Sequence, residues 1–97
     1  MSQLKILIVE DEIVIADNIA IILEKLGYEV QEPVINYTQA VASLEQDPPD
    51  LCILDIQLAG HRDGIDVAER LKKDFGIPFI FLTSNADPRT VKRAKEV

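Results

Sequence analysis

The stretch LCILDIQL, residues 51–58, decides the fold. Residues 51–54 are apolar without a break, the run meets one acid at Asp55, and apolar side chains return at Ile56 and Leu58. So short an unbroken run reads as a strand covered on both faces. A carboxylate at the end of such a strand is costly unless something beside it makes use of it. Two other stretches have the same character. Residues 4–9, LKILIV, stop at Glu10, Asp11 and Glu12, and residues 77–83, IPFIFLT, stop at Thr83.

Between these runs the period changes to that of a helix. Ile15, Ile19, Ile22, Leu23 and Leu26 share one helical face over residues 13–26, and Gly27 follows as a stop. Residues 28–34, YEVQEPV, alternate apolar and polar and carry Pro33, which predicts a short edge strand. Residues 36–46 form a second helix, capped by Asn36 with Gln39 or by Thr38, and DPPD turns the chain. After the loop AGHRDG, Ile65, Ala68 and Leu71 make one stripe of a third helix over residues 65–75, stopped by Gly76. SNADPRTVKRAKEV opens a fourth, with Asp87 as cap and Pro88 at its first position.

The order β-α-β-α-β-α-β-α predicts an α/β domain, a doubly wound parallel sheet with helices on both faces. Right-handed crossovers put the loops that follow the strands on one margin, where such sheets bind ligands. Glu10 and Asp11, Asp55, and Thr83 therefore converge there although most of the chain separates them.

Length and charge narrow the options. Ninety-seven residues make one small domain, residues 1–97. A net charge of −7 argues against this domain gripping nucleic acid directly and suits a cation or a basic partner. Cys52 is the sole cysteine, so no disulfide within the chain and no multi-cysteine metal site can form, and it is expected as a small core residue. There is no leader-like start and no apolar run long enough for a membrane span, so a soluble, cytoplasmic domain is expected.

Carboxylates gathered in one pocket repel, and a cation relieves them. Oxygen ligands with room for water suit Mg²⁺, which in turn suits phosphate chemistry. An aspartate is also a competent nucleophile toward phosphorus. Singly, these residues have plainer explanations: an Asp after a strand usually serves a turn, and EDE can simply open a helix at its positive end. Acids at two strand ends and a hydroxyl at a third are harder to explain separately.

These segments resemble the receiver domain of two-component response regulators. ILIVEDE is similar to that family's first strand with its acidic pair, and PDLCILDIQL to its acceptor strand. DGIDVAERLK is similar to the next helix, and IPFIFLTS to the fourth strand with its switch hydroxyl. The resemblance implies a flavodoxin-like sheet of order 2-1-3-4-5. It implies Asp55 as the phospho-acceptor, Asp11 as a direct Mg²⁺ ligand, Glu10 as a ligand directly or through water, and the main-chain carbonyl of Gln57 as a further ligand. Thr83 would swing toward the phosphoryl group. A sensor histidine kinase or phosphotransfer protein would be the donor, and the domain would act as a phosphorylation-controlled switch rather than an enzyme. The basic Arg89, Lys92, Arg93 and Lys95 mark either its output face or a plain solvated helix face.

The sequence departs from the pattern in three places. Ala59 stands where proline is common, the loop before Gly64 is one residue longer than usual, and His61 within it is expected to be idle. The chain stops at Val97, so the fifth strand and helix, with the active-site lysine and switch aromatic, are absent. The domain is thus expected to be C-terminally incomplete, with an output domain beyond Val97, or to dimerise or swap if it ends there. Two other functions compete: a receiver-like interaction module that takes no phosphate, and a phosphatase with an aspartyl nucleophile. The second usually has another acid where this chain has Gln57.

Overall fold

A computed structural model describes residues 4–56 and 64–82. Four parallel strands are β1 (Lys5–Val9), β2 (Glu29–Val30), β3 (Leu51–Asp55) and β4 (Phe79–Leu82), in the order β2-β1-β3-β4. The helices are α1 (Ile13–Lys25), α2 (Tyr37–Gln46) and α3 (Gly64–Arg70), which runs into a wider π-helical turn at Leu71–Phe75. This is the flavodoxin-like order expected from the sequence.

Register explains why three strands read as unbroken apolar runs. Leu7, Cys52 and Phe79 are neighbours across the sheet, as are Val9, Leu54 and Phe81. These rows pack with Ala40 and Leu44 of α2 and with Val67, Ala68 and Leu71. Alternation puts Ile8, Ile53 and Ile80 on the other face. The connection from β1 to β2 runs opposite in direction to those from β2 to β3 and β3 to β4. Right-handed crossovers therefore put α1 on one face and α2 and α3 on the other. Cys52 is fully buried, and burial pushes its thiol up to about 12, so it stays protonated as an apolar core group.

The local stops work as their residues predict. Asn36 Oδ1 accepts from the Gln39 N–H at 2.8 Å, while Gln39 Oε1 accepts from the Ile35 N–H at 3.1 Å. Asn36, not Thr38, is therefore the cap. Gly27 and Gly76 both take positive φ, 96° and 65°, where a Cβ would be strained. At the strands' amino ends, Lys5 Nζ meets Asp47 at 2.9 Å and the Lys5 N–H donates to Asp50 at 2.8 Å, tying the DPPD turn to β1.

Besides the π turn that ends the third helix, two elements differ from expectation. The edge strand is shorter than residues 28–34: regular pairing ends at Val30, and a single bridge from Val34 to Val9 resumes past Pro33, which has no N–H to give. On α1, the sheet-facing residues are Ala16, buried, and Ile19, Ala20 and Leu23, partly buried, while Ile15, Ile22 and Leu26 are exposed. The apolar band on α1 is wider than the contact that β1 and β2 make with it. The fourth helix, with Asp87, Pro88 and the basic Arg89, Lys92, Arg93 and Lys95, lies outside the described residues.

Candidate functional site

The sheet reverses its order between β1 and β3, and both strands deliver an acid at that crevice. Glu10 follows β1 directly. Its N–H donates to the Val34 carbonyl at 2.9 Å, so the chain at this point is still held as part of the sheet. Its side chain turns inward and is 3% exposed. Asp11, the next residue, is exposed, and Asp55 ends β3 half-buried. Carboxylate oxygens of Glu10, Asp11 and Asp55 lie within 4.8 Å of one another.

Buried Glu10 bears the strain of this crowding. Burial is the largest cause that pushes its carboxyl up, to about 7, and the charge of Asp55 and hydrogen bonds with Asp11 and Asp55 push the same way. The Glu12 N–H, donating to Glu10 Oε1 at 3.0 Å, opposes the rise and fixes the rotamer. A group of this kind, three hard oxygen donors with one walled in and the others reachable from water, fits a small divalent cation that keeps some of its waters. Lys5, the lysine of β1, is committed to Asp47 at the opposite end of the strand and cannot serve the cluster.

Gln57 and Thr83, the other two residues expected here, lie outside the described residues, as do Ala59 and His61. Strand β4 ends at Leu82, which is paired with Asp55 across the ladder, so the chain leaves β4 on the same margin.

One neighbour of the cluster escaped the sequence reading. Gly64 opens α3 and is buried. Its N–H donates to the Ile56 carbonyl at 2.8 Å. A Cβ built on it would overlap the Asp55 carbonyl oxygen and lie 2.8 Å from that carbonyl's carbon. The only signal in the sequence is a glycine where a loop becomes a helix, and many loops share it.

Comparison with known proteins places this geometry. Residues 6–97 match the family described as the response regulator receiver domain. The phosphate regulon transcriptional regulatory protein PhoB of Pseudomonas aeruginosa is 45% identical over 85 residues, which cover 84% of this chain and 36% of that protein. The DNA-binding response regulator MtrA of Mycobacterium leprae is 35% identical over 83 residues, 86% of this chain and again 36% of the relative. The chain thus spans about a third of the length of these curated relatives. Among solved structures, the signal receiver domain of a modulated diguanylate cyclase from Desulfovibrio desulfuricans superimposes with a TM-score of 0.91 at 39% identity, covering 98% of this chain and 75% of that one. With strand order, acidic crevice and sequence in agreement, this chain belongs to the response regulator receiver domain family.

Proposed function

We propose that this domain is a phospho-acceptor switch in which Asp55 takes a phosphoryl group from a phosphohistidine donor, assisted by Mg²⁺ beside it. The observation that carries this reading is the meeting of the Glu10, Asp11 and Asp55 carboxylates within 4.8 Å at the sheet's point of reversal. Glu10, Asp11 and Asp55 would hold the ion, with the Gln57 carbonyl as a further ligand. When bound, Mg²⁺ neutralises the charge of the incoming phosphoryl oxygens next to a carboxylate nucleophile.

An Asp55 carboxylate oxygen attacks phosphorus, a P–O bond forms, and the P–N bond to the donor histidine breaks with its electrons returning to the imidazole. As the last residue of β3, Asp55 is held by the strand beside the other two acids, so the nucleophile is positioned before the donor arrives. Glu10, anchored by the Glu12 N–H, holds the inner side of the cation site. The Thr83 hydroxyl then hydrogen-bonds a phosphoryl oxygen, and the fourth helix carries the change to a partner. Turnover is confined to self-catalysed transfer and hydrolysis. A sensor kinase or phosphotransfer protein is the donor, and an output domain or a partner protein is the target. DNA contact, which the name of MtrA states for that relative, would belong to such an output domain and not to this acidic one.

The test is labelling by acetyl phosphate with and without Mg²⁺, in the wild type and in Asp55→Asn. One acid-stable, hydroxylamine-sensitive phosphoryl group per chain is expected, Mg²⁺-dependent and absent from the variant. Sustained turnover of phosphomonoesters would point to a phosphatase instead. No label and no Mg²⁺ binding would leave an interaction module.

A further inference from the structure

We infer that Gly64 is a positioning residue for Asp55: its main chain ties the start of α3 to the end of β3 and sets where the acceptor carboxylate stands. This rests on the reading of Asp55 as acceptor. Ile56 directly follows β3 and Gly64 is the first residue of α3. The two are joined directly, through the 2.8 Å bond from the Gly64 N–H to the Ile56 carbonyl. The same residue lies against the Asp55 peptide so closely that a methyl group there would overlap the Asp55 carbonyl oxygen and come within 3.1 Å of the Ile56 Cα. The three nearest obstacles are all main-chain atoms of Asp55 and Ile56, not the end of a flexible side chain.

Close approach, rather than an unusual backbone angle, is what requires glycine at this point. Gly64 is in a helical conformation and is not among the positive-φ glycines. A side chain at position 64 therefore displaces the Asp55 main chain by roughly 1 Å or more, and a nucleophile misplaced by that distance loses about a hundredfold in rate. A residue that merely helped α3 to start would affect stability alone. Gly64 instead couples the start of α3 to the aim of one carboxylate.

The experiment compares Gly64→Ala with the wild type and with Asp50→Ala, which removes the acceptor for the Lys5 N–H at the opposite margin of the sheet. Labelling by acetyl phosphate with Mg²⁺ is measured per folded molecule, alongside thermal melting. Gly64→Ala is expected to label about a hundredfold more slowly, while Asp50→Ala labels at the wild-type rate despite its lower melting temperature. Equal labelling per folded molecule in Gly64→Ala overturns the inference. If Gly64→Ala does not fold, amide exchange in the wild type decides. The Gly64 N–H is expected to be protected like the β3 amides, and exchange at the rate of a free amide refutes the tie to Ile56. A wild type that takes no label defeats the assignment of Asp55 itself, a different failure from wild-type labelling retained in the alanine variant.

Discussion

At Glu10 the ionised carboxylate is held away from water and beside another acid, so ionisation opposes folding. Its folded-state value of about 7 lies above the ordinary 4.5. Below pH 4.5 the group is protonated in both folded and unfolded chains and costs nothing. Between pH 4.5 and 7 the unfolded chain ionises first, so stability falls with rising pH, and above 7 the loss is complete. At about 1.4 kcal/mol per tenfold, the loss is of the order of 3 kcal/mol. Urea titrations of the metal-free protein should show this decline, and Glu10→Gln should flatten it while weakening Mg²⁺ binding by tenfold or more. Parallel pH curves for the two proteins would show that Glu10 does not carry the effect. Asn36→Ala, which removes the acceptor for the Gln39 N–H, should cost about 1 kcal/mol in the same titration. An unchanged midpoint would mean that water replaces the cap.

Elements bring these residues together, and most of them are legible because their apolar period is plain. Residues 51–54 and 4–9 can be buried on both sides only as central strands, and the structure places them at β3 and β1. The positions of Glu10 and Asp55 follow from that topology, which is why remote acids could be expected in one crevice. Other features follow from contacts that no local period encodes. The shoulder of α1 that meets the sheet is set by β1 and β2, so Ala16 is buried and Ile22 is not. The turn from Leu71 to Phe75 widens so that the Gly76 N–H reaches the Leu71 carbonyl, although the stripe of Ile65, Ala68 and Leu71 suits an ordinary helix. The seat of Gly64 depends on where the Asp55 peptide lies, which the sequence around residue 64 does not contain. Leu71 is fully buried where α3 gives way to the π turn, so Leu71→Ala should cost about 2–5 kcal/mol. A cost below 1 kcal/mol in a denaturant titration would show that this joint is loosely packed.

Among the described residues, the sheet face under α2 and α3 holds the core cluster, whereas Val14, Ile21 and Ile22 of α1, Leu26 just past its end, and Ile80 of β4 are exposed. Among the described residues no helix is long and apolar enough to cross a membrane. Patches of this kind bind apolar dyes and neighbouring chains. The 97-residue chain should therefore enhance anilinonaphthalene sulfonate fluorescence, and Ile22→Lys with Ile80→Lys should abolish most of that signal; a chain that leaves the dye dark would contradict this account of the face. The sheet's main consequence lies at its margin, where strand order and strand ends gather the carboxylates of Glu10, Asp11 and Asp55. The most direct measurement is to treat the protein with acetyl phosphate and Mg²⁺, reduce the acyl phosphate with borohydride, and locate the reduced residue by tandem mass spectrometry. Reduction at Asp55 alone, and only when Mg²⁺ was present, is the predicted result. Reduction at Asp11 or Glu10, or at Asp55 regardless of the ion, would contradict it.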